Sequence, residues 1–161
     1  MAILQGHLYF VADAFFAVAN DPYLKLEHST GKRPHYFAWQ EPETALFWMV
    51  PCSSKVEKFE NILQQKKRMH KPADGLMVVK IQDKKVALLF QDMFPITEQY
   101  ILGPYIRGGQ AVRITDPRLL GALEKQARKV VSLLRHGVRF TPTQPGALRI
   151  EAVMLEEAPH A

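Results

Sequence analysis

A single cysteine, Cys52, stands in the 161 residues, which excludes an internal disulfide and fits a reducing compartment. Long hydrophobic runs are missing as well: no stretch reaches the ~20 apolar residues of a membrane-spanning helix. The longest apolar segment near the N-terminus, His7 to Ala19, is broken by Asp13. It has neither the basic flank nor the small-residue cleavage site of a secretory leader, so the expected location is the cytoplasm. The histidines, His7, His28, His35, His70, His136 and His160, lack zinc-ligand spacing. Asp83 and Asp92 are isolated, which removes the carboxylate cluster of two-metal phosphoryl transfer. Arg107-Gly108-Gly109 is too short for a phosphate-cradling loop and reads as a hairpin turn. No metal or cofactor is expected. Repeats, low-complexity tracts and long linkers are lacking too, and the length suits one domain over residues 1–161.

What is present suits a packed core: 47% of residues are hydrophobic and 23% charged. Lys and Arg total 21 against 16 Asp and Glu, a net charge of +5. That excess is compatible with a polyanionic partner without demanding one. Its distribution says more. Lys55, Lys58, Lys66, Lys67, Arg68 and Lys71 face only Glu57 and Glu60 in one segment, and Arg128, Lys129, Arg135, His136 and Arg139 form a second cluster. Brought together, the two clusters make a phosphate-binding face; apart, they are two solvated helix surfaces.

The N-terminal third reads as strands. Gly6 to Phe10 is a short apolar segment, and Val11 to Ala19 either continues it or turns helical. Asn20-Asp21-Pro22 is a turn. His35–Gln40 and Leu46–Val50 flank Glu41-Pro42-Glu43 as a hairpin. Ser54-Lys55-Val56-Glu57 matches a capping box with Ser54 as N-cap, and Val56, Phe59, Ile62, Leu63 and Met69 form the apolar stripe of the helix that follows. Leu76–Ile81 and Val86–Phe90 make another hairpin, with further strand at Phe94–Ile96 and Ala111–Ile114. Asp116-Pro117 opens the best-marked helix in the chain, which Gly137 closes. The tail, Leu148 to Leu155, leans helical. The expected class is α+β: a twisted, mostly antiparallel sheet with flanking helices.

Two places carry chemistry. At Trp48-Met49-Val50-Pro51-Cys52-Ser53-Ser54-Lys55 an apolar strand runs straight into a helix, whose free N–H groups and positive dipole end suit an anion. Ser54 is either an ordinary N-cap or, with Ser53, a second hydroxyl gripping a bound phosphate. Ser53 is less needed for a cap, and Lys55 in the first turn opposes the dipole, a cost that a bound anion would offset. In Gly31-Lys32-Arg33-Pro34-His35-Tyr36 a basic loop leads into a strand bearing an imidazole, either a structural residue or a proton-transfer group. Cys52 beside the helix start is either a nucleophile or a buried strand-end residue.

The segments Asp21-Pro22-Tyr23-Leu24, Arg33-Pro34-His35-Tyr36, Trp48 through Val56, Gln91 through Thr97 and Phe140-Thr141-Pro142-Thr143-Gln144-Pro145 resemble the toxins of type III toxin–antitoxin systems. The likeness is greatest to the CptN branch, with ToxN- and AbiQ-like endoribonucleases more distant, and it runs from about residue 7 to residue 155. It implies a strongly twisted antiparallel sheet similar to the MazF and Kid toxins. It also implies metal-independent cleavage of RNA to 2′,3′-cyclic phosphate and 5′-hydroxyl ends, including the toxin's own antitoxin precursor and cellular or phage mRNA. Inhibition would come from pseudoknot repeats of an antitoxin RNA in a closed ribonucleoprotein assembly, with a role in phage defence. Carried over, the hydroxyl-hydroxyl-lysine group falls on Ser53, Ser54 and Lys55, with Ser53 where ToxN has Thr, and His35 takes the place of a Lys.

Joined to the chemistry of RNA cleavage, this implies His35 as general base or acid, Lys55 as phosphate clamp and Ser53 with helix N–H groups as oxyanion donors. Lys32, Arg33, Lys58, Lys66, Lys67 and Arg68 would track the backbone, and Tyr36 or Trp39 would stack an unpaired base. A non-catalytic RNA-binding module using the same basic face and a Cys52 hydrolase or transferase are the competing readings.

Overall fold

The structure, a computed structural model, describes residues 2–24 and 33–157. In chain order the elements begin with β1 (Leu8–Val11), α1 (Asp13–Ala19), β2 (His35–Gln40), β3 (Phe47–Ser53), α2 (Val56–Arg68), β4 (Met77–Ile81) and β5 (Lys84–Leu88). They continue with β6 (Phe94–Ile96), β7 (Ile101–Pro104), β8 (Ile106–Arg107), β9 (Gln110–Ala111), α3 (Pro117–Arg135) and α4 (Ala147–Glu157). The fold is α+β. Its main sheet runs β4-β5-β3-β2-β1-β7, β6 pairs with β3, and every pairing is antiparallel. Val11 to Ala19 resolves into the end of a strand and a short helix, and the tail is helical. Among the described residues no helix is long and apolar enough to cross a membrane.

Side-chain alternation along the strands sorts the core into two faces. Tyr36, Trp48, Val50 and Cys52 point to one face, where they meet Leu123, Ala127, Val130 and Leu134 of α3. Phe37, Phe47 and Met49 point to the other and pack with Phe15 of α1 and Ile150 and Met154 of α4. A bulge between Phe37 and Trp39 opposes Trp39 to Trp48, an irregularity that sharpens local twist. A third cluster, Phe59, Leu76, Ala87 and Leu89, seats α2 on the β4–β5 end.

Helix α3 has the ends expected of it: Asp116 accepts a bond from the Arg118 N–H at 3.0 Å, and Gly137 takes φ +84. Helix α2 does not. It starts at Val56 with Lys55 as N-cap and no side-chain capping bond, so the capping box of Ser54 and Glu57 does not form. The reason is strand pairing: β3 extends to Ser53, which pairs with Ala87, and Ser53 Oγ instead accepts from the Lys55 N–H at 3.2 Å. At the far end α2 stops at Arg68, leaving Met69 58% exposed, so Met69 is no part of the apolar stripe.

The second basic cluster is occupied by the fold. Lys129 pairs with Asp74 at 2.8 Å, and Arg128 lies over the Trp39 ring, 5.7 Å from its centroid. Arg139 donates to the Pro142 carbonyl. Arg135 bridges Glu41 at 2.7 Å and Glu151 at 2.8 Å, which ties the β2–β3 turn and α4 to α3. These contacts give the cations of the second cluster partners within the fold itself.

Candidate active site

Strand register builds the site. His35 opens β2 opposite Pro51 of β3, and partners across an antiparallel pair share a face. Ser53 lies two residues beyond Pro51, so it shares that face too. Both line a cavity of about 450 Å³ together with Arg33, Lys55 and Lys58. The cavity opens where α1 ends and α2 begins, and its walls include Phe16 of α1 and Phe59 of α2.

The α2 start contributes N–H groups that no side chain caps, the arrangement that makes a helix N-terminus an anion site. Lys55 and Lys58, one turn apart, add two ammonium groups. Asp92 is the only carboxylate among the described residues that line the cavity. Cations therefore outnumber acids in the cavity, a balance suited to a phosphodiester. Among the described residues no three His, Cys, Asp or Glu side chains gather as a metal site.

The His35 ring is clamped by aromatics: Phe94 meets it edge-on at 5.3 Å and Phe16 lies tilted at 6.4 Å. Only 6% of the residue is exposed. Burial pushes its pKa down to about 4; the nearby Arg33 backbone, which favours the protonated ring, partly opposes this, and the Arg33 guanidinium pushes the same way as burial. The imidazole is therefore neutral at pH 7, able to accept a proton rather than donate one. Its Nδ1 is buried with no hydrogen-bond partner, an unsatisfied polar atom of the kind that a functional site tolerates.

Segments whose residues had no assigned role complete the walls. Asp21 accepts from the Tyr23 N–H at 2.9 Å and from the Gly146 N–H at 2.8 Å. It thereby pins Pro22, Tyr23 and Leu24 along one side of the cavity. Buried Gln144 accepts from the N–H groups of Phe140 and Thr141, holding the loop that delivers Thr143. Gln91 is set by its N–H bond to the Gly75 carbonyl at 2.9 Å. A Cβ on Gly75 would lie 3.0 Å from the Gln91 Cβ, so any larger residue there would push Gln91 aside by a few tenths of an ångström.

The expected residues therefore divide. His35, Ser53, Lys55, Arg33 and Lys58 converge on one cavity, whereas Ser54 is exposed and lines a different cleft. Lys66, Lys67 and Arg68 sit at the other end of α2, about 16–20 Å along the axis from Lys55, where they complement the helix dipole. Tyr36 cannot stack a base: alternation turns it to the α3 face and buries it completely, and burial raises its pKa. Trp39 is covered by Arg128. Cys52, also on the α3 face, is buried with its thiol pushed up to about 12, which leaves no thiolate nucleophile near neutral pH. Lys32 lies outside the described residues.

No family model matches this chain, and no curated protein matches it in sequence. Among solved structures it is similar to AbiQ, described as a lactococcal anti-phage endoribonuclease belonging to the type III toxin–antitoxin system. The TM-score is 0.73 over 96% of this chain and 98% of that one, at 9% sequence identity. The likeness establishes a shared fold along nearly the whole length of both chains.

Proposed function

We propose that this protein is a metal-independent endoribonuclease toxin that cuts single-stranded RNA, both mRNA and the precursor of its own RNA antitoxin. The products are 2′,3′-cyclic phosphate and 5′-hydroxyl ends, and pseudoknot repeats of the antitoxin hold the toxin inactive in a closed ribonucleoprotein assembly. One observation carries the catalytic part: a neutral imidazole, a hydroxyl, two ammonium groups and an uncapped helix start line the same cavity. The AbiQ-like fold supports the toxin and antitoxin parts by analogy.

In this mechanism neutral His35 takes the proton of the substrate 2′-hydroxyl, and the 2′-oxygen attacks the adjacent phosphorus in line with the departing 5′-oxygen. The P–O5′ bond breaks, and the 5′-oxygen leaves as a hydroxyl after taking a proton from Lys55 or water. Negative charge grows on the non-bridging oxygens as the pentacoordinate phosphate forms. Lys55, the Ser53 hydroxyl and the α2 N–H groups stabilise it where it develops, which lowers the barrier rather than only binding the ground state. Arg33 and Lys58 hold the flanking phosphates.

The test is cleavage of a single-stranded RNA pool in EDTA. Wild type should cut and leave cyclic phosphate ends. Ser53→Ala should lose about 10²–10³ in kcat, Ser53→Thr should retain most activity, and Lys55→Ala and His35→Ala should fall at least as far as Ser53→Ala while remaining folded. Wild-type rates in all three alanine variants would refute the site. Intact RNA after salt-sensitive binding by wild type would replace it with a non-catalytic binding module.

A further inference from the structure

We propose that a second cleft, across the end of β3 from the cavity, seats the nucleobase next to the scissile phosphate; this rests on the endoribonuclease reading. The cleft measures about 270 Å³, just below the ~300 Å³ at which sites for drug-sized ligands begin, so it suits one ring system. It adjoins the first cavity directly, because Arg33 and Ser53 line both. A strand with its phosphate at Ser53 has this cleft as its immediate neighbour.

The chemistry of the walls favours a nucleotide. The floor is apolar, with Leu8, Val86 and Val112, and Tyr105 stands beside it. The rim carries Lys84 and Arg107, and no aspartate or glutamate is among the described residues that line the cleft. An apolar surface edged by cations matches the two halves of a nucleotide: a flat face that leaves water readily and a phosphate that needs a counter-charge. Lys84 has no carboxylate partner among the described residues, unlike Lys85, which reaches Glu60 at 3.4 Å.

The cleft is also built before any ligand arrives. The β4–β5 turn and the β8–β9 hairpin lock onto each other through two bonds. Arg107 Nη2 donates to the Gln82 carbonyl at 3.3 Å, and Gln82 Nε2 donates to the Ala111 carbonyl at 3.2 Å. The Tyr105 N–H donates to Leu8 at 2.8 Å, and its ring meets Phe10 edge-on at 5.6 Å. A preset platform spares a bound base part of the ordering cost.

The probe is mixed-sequence single-stranded RNA containing 4-thiouridine and 2′-O-methyl groups, which block attack by the 2′-oxygen. Photo-crosslinking to the full-length protein followed by peptide mass spectrometry should place adducts on the Tyr105 segment as well as in the first cavity. Tyr105→Leu, which keeps an apolar side chain, should lose the former adducts and weaken binding about tenfold. Lys84→Ala combined with Arg107→Ala should reduce the salt slope of binding by about 2. On cleavable RNA, Tyr105→Leu should flatten sequence preference at one position beside the cut. Crosslinks confined to other surfaces, with affinity and cut-site preference unchanged in Tyr105→Leu, would overturn the subsite while leaving the nuclease standing. Absence of any RNA binding by wild type would overturn both.

Discussion

Acidification should weaken this protein through His35, by an amount the structure sets. The imidazole titrates at about 4 in the fold against 6.5 when solvated. Between those values the unfolded chain binds a proton that the folded chain refuses, so stability rises with pH across that window. In the other direction, stability is intact above 6.5, falls by about 1.4 kcal/mol per pH unit on the way down, and levels off below 4. The total, about 3 kcal/mol, needs little discount for solvent because the residue is only 6% exposed. Urea unfolding at several pH values would measure it, with His35→Asn as the reference. Both proteins lose stability as shared carboxylates protonate, so the difference between their slopes isolates the imidazole. Wild type should lose about 3 kcal/mol more than the variant between pH 6.5 and 4. Parallel lines across that window would refute the buried neutral imidazole and the proton-accepting role derived from it.

The same group predicts the pH profile of cleavage: kcat/KM should lose activity on an acid limb near pH 4 rather than 6.5, and a rate that instead grew on acidification would make His35 a proton donor. Arg135→Ala should destabilise the fold by about 2 kcal/mol, seen as a lower urea midpoint, since it leaves buried Glu41 without its cation, held by bonds from Thr44 and Trp48. The figure is below the ~3–5 kcal/mol of a fully buried pair because about a third of the Arg135 side chain meets solvent. Cys52 should resist iodoacetamide in the native protein and react once urea exposes it; rapid native labelling that stopped RNA cleavage would revive the thiol chemistry.

Much of the fold was legible because its signals are local. Asp116-Pro117 and Gly137 mark the two ends of α3 by backbone chemistry that acts within one turn. Alternating aromatic segments around Pro42 read as the β2–β3 hairpin for the same reason. Where local rules failed, a distant partner had intervened. Ser54 looked like an N-cap, but pairing of Ser53 with Ala87 moved the helix start. The two short strands at Ile101–Pro104 and Ile106–Arg107 escaped notice, since edge strands of two to four residues leave too little periodicity to read.

The site divides along the same line. Sequence alone determined that Ser53 and Lys55 meet at a helix start and that His35 opens a strand after a basic loop, because chain connectivity sets those neighbours. The family resemblance also marked Asp21–Leu24, Gln91–Thr97 and Phe140–Pro145 as distinctive, without a site role for any of them. Only the tertiary structure decided that His35 lies opposite Pro51, which puts its ring on the face of Ser53 and sends Tyr36 and Cys52 to the other. Register is a long-range property: a slip of one residue would exchange the two faces and empty the cavity of its imidazole. Packing against Phe94 and Phe16 then moved that imidazole's pKa to about 4, since desolvation depends on what surrounds a group in space and not on its neighbours in the chain.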